Sequence, residues 1–101
     1  LVSNTAQPQE VIELINFCLA KDFLKSREIL YNLLVEHGLS GEDVILQIYK
    51  RVNSFSEDKI SISKKLKIID KIAEFNYRLV EGANDRIQLE ALLANLILIN
   101  D

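Results

Sequence analysis

The sequence predicts an all-α domain built as a bundle of five helices. Apolar residues recur at steps of three and four, capping residues and glycines separate these segments, and strand-like alternation never extends beyond a few residues. The chain has 101 residues, of which 49% are hydrophobic and 27% charged, as in ordinary globular domains. We therefore expect one domain with one modest hydrophobic core.

The first two helices are predicted on either side of a break at Asp22. Pro8 suits the first turn of helix one, where its missing N–H costs nothing, so residues 1–7 are assigned to a linker and residues 8–101 to the helical domain. Gly38 is placed as the left-handed residue that closes helix two. The apolar stripes consist of Val11, Ile12, Ile15, Cys18 and Leu19 in helix one and Phe23, Leu30, Leu33 and Leu34 in helix two.

Helix three is predicted to begin at Ser40, which is placed as its N-cap. Glu42 and Asp43 follow in the first turn, where the positive end of the helix dipole favours acids. A polar loop at residues 53–61 ends the helix. The residues expected to face inward are Val44, Ile45, Ile48, Tyr49 and Val52.

Helix four is predicted to start at Ser61 or Ser63 and to end at Gly82. The residues expected on its inward stripe are Leu66, Ile69, Ile72, Ala73, Asn76, Leu79 and Val80.

Helix five is capped by Asn84 or Asp85 and is apolar on nearly every side. Residues 87–99 contain 10 apolar residues out of 13, which is too short a run to cross a bilayer. Because one face cannot hold them all, the helix is either central in the core or shared with a partner. The pattern alone leaves both alternatives open.

Residues that perform catalysis or bind metal are scarce in this chain. It has one histidine, one cysteine and three glycines, and no phosphate-binding loop. His37 is expected to satisfy carbonyls at the end of helix two, and Cys18 to be a small core residue. We predict no enzyme activity and no catalytic, cofactor-binding or metal-ligating residue. A single cysteine also fits a reducing, cytoplasmic setting.

A lysine-rich segment offers an alternative function as a small helical nucleic-acid-binding module. Residues 59–71 carry five lysines against Asp70, and Lys64, Lys67 and Lys71 share one helical face. A solvated outer face explains the same pattern, and the net charge of −3 gives no general attraction to phosphates. The five residues are Lys59, Lys64, Lys65, Lys67 and Lys71.

Two segments carry a resemblance to a known family. The turn Gly38-Leu39-Ser40-Gly41-Glu42-Asp43-Val44 and the block at residues 77–92, with its Glu-Gly-Ala-Asn-Asp turn, resemble the C-terminal domain of the archaeal replication factor C small subunit. That protein is part of the clamp loader that places the sliding clamp on DNA. The resemblance covers residues 7–98.

The resemblance implies a five-helix collar domain that assembles subunits and performs no chemistry. Its implied partners are other small and large clamp-loader subunits in a pentameric ring, with sliding clamp and DNA bound through the whole complex and no membrane. ATP and magnesium would bind only in ATPase domains outside this chain, to which residues 1–7 would lead.

The resemblance also implies which residues form the subunit interface. Their polar members would form charge pairs within the domain or across the collar, and the two readings stay open. Asn84 and Ser40 are expected as helix caps. The interface candidates are Arg78, Glu81, Arg86, Gln88, Glu90, Leu93, Leu96 and Ile97.

Overall fold

A computed structural model of the protein describes residues 8–100. Five α-helices follow one another, and residues 8–100 contain no strand, so the predicted all-α fold with five helices is confirmed. The helices are α1 (Pro8–Leu19), α2 (Phe23–Tyr31), α3 (Gly41–Ser54), α4 (Ile62–Val80) and α5 (Asp85–Ile99).

Helix α5 is the central element of the bundle. It packs against all four other helices, whereas α2 makes little or no contact with α3 or α4. Because α1 packs on both α2 and α3, and α3 also packs on α4, the outer helices surround α5 in the order α2, α1, α3, α4. This leaves a gap between α2 and α4, on the side of α5 opposite α1 and α3.

Helix two differs from the prediction of a single α-helix. Its last part, Asn32–Glu36, is a π-helical turn, in which the His37 N–H donates to the Asn32 carbonyl at 2.9 Å. Gly38 then adopts a left-handed φ of 67°, as predicted, and the chain returns so that Leu39 is buried. Apolar periodicity does not distinguish this wider turn from an α-helical one, because both place Leu33 inside.

The predicted helix caps are present. The Ser40 side chain accepts from the Asp43 N–H at 3.1 Å, and the Asn84 side chain accepts from the Ile87 N–H at 2.9 Å. Ser61 rather than Ser63 caps α4. Each cap satisfies one of the N–H groups left unpaired at a helix start.

The inward face of α4 agrees with the prediction only in part, since Ile72 and Leu79 are buried as predicted. Leu66 and Val80 are 60% and 58% exposed, and Ala73 and Asn76 are also exposed. The helix carries two apolar stripes with helical spacing, so periodicity could not decide which one enters the core. Packing selects the stripe that contains Ile68, Ile72, Phe75 and Leu79.

His37 does not play the expected capping role. Its Nε2 lies 3.1 Å from Oε1 of Glu10, which ties the end of the π-helical turn to the first turns of α1. The contact joins elements separated in sequence, so local sequence rules for helix ends could not predict it.

Cys18 is fully buried, as predicted for a core residue. Burial raises the pKa of its thiol to about 11, although a hydrogen bond with Ser26 acts in the opposite direction. Because the folded pKa exceeds the unfolded value, the contribution of this thiol to stability is complete below about pH 9 and is lost as the pH rises through about 11.

We expect iodoacetamide at pH 8 to leave the native Cys18 thiol unmodified and to alkylate it in urea. Rapid native alkylation, measured by mass spectrometry, would contradict this burial.

Candidate subunit interface

The two motifs that carry the family resemblance meet in the structure. The buried N–H of Gly41, at the start of α3, donates to Oδ2 of Asp85, at the start of α5, at 2.7 Å. A Cβ on Gly41 would lie 2.7 Å from Cγ of Asp85, so the close approach requires glycine. The sequence pattern predicts Asp85 only as an alternative cap of helix five and does not reveal this link. The available signal for it is the glycine directly after a capping serine.

Two of the predicted interface residues lie on the inward face of α5, so their assignment to a subunit interface is wrong. Leu93 and Leu96 are 0% and 2% exposed and belong to the core of their own domain. They are therefore unavailable to a neighbouring subunit. The complete buried stripe is Leu89, Leu92, Leu93 and Leu96.

A second apolar stripe lies on the opposite side of α5. Ile87 and Leu98 are each 65% exposed, and Ala91 and Ala94 are half-buried between them. Steps of four, three and four residues place these four side chains in one row, which we call the outer stripe. It runs along the gap between α2 and α4. The sequence pattern shows the apolar excess of helix five but does not separate this row from the core.

One flank of the outer stripe carries a cluster of charged residues. The Nε atoms of Arg27 and Arg86 each lie 3.1 Å from Oε2 of Glu90, and the Arg86 guanidinium stacks over the Tyr31 ring at 5.0 Å. Burial acts to raise the pKa of Glu90, but the hydrogen bonds and charges of the two arginines outweigh it and hold the pKa below its ordinary value. Arg86 and Glu90 thus pair within the domain.

Arg78 belongs to a similar cluster on α4. Its Nη2 lies 2.7 Å from Oε2 of Glu74, whose Oε1 is 3.4 Å from Nζ of Lys71. The Arg78 guanidinium also stacks over the Phe75 ring at 5.0 Å. Arg78 therefore also has its charge partner inside the domain.

The three remaining interface candidates differ in their exposure to solvent. Glu81 is exposed at the C-terminal end of α4, and Ile97 is half-buried and packs against the core. Gln88 is half-buried, and its Oε1 is inaccessible and lacks a hydrogen-bond partner among the described residues. Of these three residues, only Glu81 is exposed.

The lysine-rich segment is largely engaged with its own domain. Lys64 Nζ donates to Asn100 Oδ1 at 3.2 Å, Lys65 Nζ donates to the Phe55 carbonyl at 2.7 Å, and Lys71 pairs with Glu74. These contacts favour a solvated outer face over a continuous phosphate-binding stripe.

A shallow groove with a volume of about 370 Å³ lies between α3 and α4. It is largely apolar and offers no convergent acid, base or nucleophile. Residues 8–100 hold no cluster of three His, Cys, Asp or Glu side chains suited to a metal ion. No helix in this range is long and apolar enough to span a membrane. The groove between α3 and α4 is lined by Ile45, Leu46, Tyr49, Ile69, Ile72, Ala73 and Asn76.

Fold and surface together define an all-α domain with an exposed apolar helix face and no recognisable reaction centre within residues 8–100. The Replication factor C C-terminal domain family model matches residues 6–95. The chain belongs to this family, which confirms the resemblance inferred from the two motifs.

Relatives named as replication factor C small subunits agree with this assignment. The protein of Thermococcus kodakarensis is 50% identical over 94 residues, which are 93% of this chain and 10% of the relative. Those of Archaeoglobus fulgidus and Sulfurisphaera tokodaii are 45% and 50% identical over 95 residues, which are 94% of this chain and 29% of each relative. The chain thus spans less than a third of the length of these relatives.

Proposed function

We propose that this chain is the non-catalytic collar domain of a clamp-loader small subunit and holds subunits together in a ring. The observation that carries this proposal is the outer stripe. An isolated bundle gains nothing by exposing Ile87 and Leu98 in a gap between two helices, whereas a subunit contact would bury them. Family membership supplies the context in which such a contact is useful.

In the proposed complex, ATP and magnesium bind to other domains of the complete protein, and the sliding clamp and primed DNA are engaged by the whole assembly. The domain contributes apolar surface and a rigid frame. The link between Gly41 and Asp85, at 2.7 Å, supports rigidity because it fixes the start of α5 against α3. The outer stripe is thereby held in a defined orientation.

The requirement for the domain is tested by comparing the complete protein with a version that lacks residues 8–100. Gel filtration with light scattering reports the oligomer size of each. We expect the shortened protein to lose its ring-sized assembly. Retention of the full assembly would refute the proposed role.

The outer stripe is tested by the double substitution Ile87→Lys and Leu98→Lys in the complete protein. Both side chains are 65% exposed, so we expect the fold to persist while two buried ammonium groups disrupt the contact, weakening association at least about tenfold. Tyr77→Lys is the matched control, because Tyr77 is 67% exposed and lies outside the stripe. Unchanged assembly with retained circular dichroism would exclude this surface.

A further inference from the structure

Positive charge is concentrated at one end of the bundle, where α1, α3 and α5 finish and α2 and α4 begin. The Asn100 side chain joins three of these helices, since its Nδ2 donates to the Leu19 carbonyl at 2.6 Å and its Oδ1 accepts from Lys64 Nζ at 3.2 Å. Lys65 Nζ donates to the Phe55 carbonyl at 2.7 Å and brings the end of α3 to the same place. Residues 20–22 connect the end of α1 to the start of α2.

The chain segments that meet at this end are strongly basic. Residues 19–25 and 50–65 contain seven lysine or arginine residues and three acidic residues, whereas the rest of the chain contains five basic and twelve acidic residues. Counting Asp101, which follows Asn100 in the sequence, with these segments still leaves an excess of three positive charges. We call the seven basic residues the basic end. They are Lys21, Lys25, Lys50, Arg51, Lys59, Lys64 and Lys65, and the acids in the same segments are Asp22, Glu57 and Asp58.

Helix dipoles do not account for an excess of this size. Each helix terminus carries the equivalent of about half an elementary charge, negative at a C-terminus and positive at an N-terminus. Three C-termini and two N-termini meet at the basic end, so together they contribute a charge of about minus one half. The side chains contribute several times this charge with the opposite sign. The basic end therefore attracts anions.

Several of these positive charges are not neutralised inside the domain. Lys64 and Lys65 donate to an amide oxygen and a carbonyl oxygen, which carry no formal charge. Lys25 Nζ lies 4.0 Å from Asp22 Oδ2, and both side chains reach solvent, so water screens this pair. Lys59 is exposed. These ammonium groups are therefore able to pair with an anionic partner.

Beyond subunit assembly, we propose that the basic end binds the phosphate backbone of duplex DNA without contacting its bases. Its lysines come from the turn after α1, the loop after α3 and the first turn of α4. A duplex presents about one negative charge per 1.7 Å of its axis, divided between two strands, so it offers phosphates to ammonium groups spread over a surface. An acidic peptide presents its carboxylates along a single line. Lysine suits this task because its ammonium group contacts a phosphate as a point charge.

Two aromatic rings at the basic end each have an ammonium group over one face. Nζ of Lys25 lies 5.5 Å from the centroid of the Phe17 ring, and Nζ of Lys59 lies 5.5 Å from the centroid of the Phe55 ring. A base would have to displace the ammonium group in order to stack there. The arrangement therefore favours contacts to phosphates, which carry no sequence information.

Lysine acetylation in the complete protein, followed by mass spectrometry, tests this site residue by residue. The reagent is sulfosuccinimidyl acetate, applied with and without a DNA duplex of mixed sequence whose binding is checked by fluorescence anisotropy. We expect the duplex to slow the acetylation of Lys25 and Lys59 about threefold or more, because bound phosphates cover their ammonium groups. Lys71 is the internal control, since it pairs with Glu74 in the middle of α4 and its rate is expected to stay unchanged.

A pair of matched variants measures the contribution of the basic end to affinity. Lys25→Gln with Lys59→Gln removes two charges and two contacts with aromatic rings. Lys71→Gln with Arg78→Gln removes the same charge elsewhere, including the contact of Arg78 with the Phe75 ring. The first variant is expected to bind the duplex about tenfold more weakly at low salt, and to lower the slope of log K against log[salt] by about two, while the control keeps both values. Circular dichroism checks the folding of each variant.

Protection of Lys25 and Lys59 with an unaffected Lys71, together with weaker binding by the first variant alone, supports the site. Equal acetylation rates with and without bound duplex overturn it, and this measurement on the wild-type protein needs no variant to fold. Equal weakening by the two variants also overturns it. Polyglutamate is the competing anion, and stronger protection by polyglutamate than by the duplex overturns the proposal in favour of an acidic protein partner.

These outcomes are separate from those that test the collar role. If removal of residues 8–100 abolishes the ring-sized assembly while the duplex leaves the lysines unprotected, the collar role stands and only this DNA site fails. If assembly survives the removal while the duplex protects the lysines, the collar role fails and the DNA site stands.

Discussion

Leu93→Ala is expected to lower the free energy of unfolding of this domain by about 2–5 kcal/mol, the range for leucine truncation in a packed core. Leu93 is completely buried on the central helix, within the cluster formed by all five helices. The substitution removes three carbon atoms' worth of contacts and leaves a cavity that α5, held by neighbours around its inward face, can close only in part. Urea denaturation followed by circular dichroism measures the loss.

Leu98→Ala is the matched comparison, since it makes the same chemical change on the same helix. Leu98 is 65% exposed, so we expect a change of less than about 0.5 kcal/mol in the unfolding free energy. Its effect should instead appear in subunit association. Equal destabilisation by the two substitutions would show that the assignment of inward and outward faces of α5 is wrong.

Gly41→Ala is expected to destabilise the domain by about 1–3 kcal/mol, although replacing glycine with alanine inside a helix normally stabilises it by about 1 kcal/mol. The new Cβ would lie 2.7 Å from Cγ of Asp85, so that side chain must move. The buried Gly41 N–H then loses its 2.7 Å hydrogen bond, which is the origin of the cost.

A double-mutant cycle separates the steric clash from the helix propensity of alanine. Asp85→Ala alone should destabilise, because the buried Gly41 N–H loses its acceptor. In that background, Gly41→Ala has no carboxylate to meet and is expected to be neutral or stabilising. Thermal and urea unfolding of the four proteins measure the coupling. Additive effects of the two substitutions would refute the contact.

Local signals predicted the elements well because they depend on near neighbours. Ser40, Asn84 and Gly38 act within one turn of their own helix ends, through hydrogen bonds or a left-handed backbone. Such interactions can be read from residue type and spacing. The π-helical turn Asn32–Glu36 escaped prediction because its apolar residues satisfy an α-helical pattern equally well.

The choice between competing faces could not be read in the same way. Helix α4 has Leu66 and Val80 on one apolar stripe and Ile72 and Leu79 on another, and only the positions of α3 and α5 show that the second is buried. The interface candidates on α5 present the same difficulty. Leu93 is buried whereas Leu98, on the same helix, is exposed, and the sequence pattern does not distinguish these two leucines.

The sequence by itself determined the class of fold, the number of helices and the family, since these depend on periodicity, caps and motifs encoded over a few residues. Tertiary structure decided which stripe of α4 and of α5 is buried, which carboxylate each arginine contacts, and that Gly41 meets Asp85. These features depend on contacts between residues far apart in the chain. They are settled when the five helices compete to bury apolar surface around α5, and not by any helix alone.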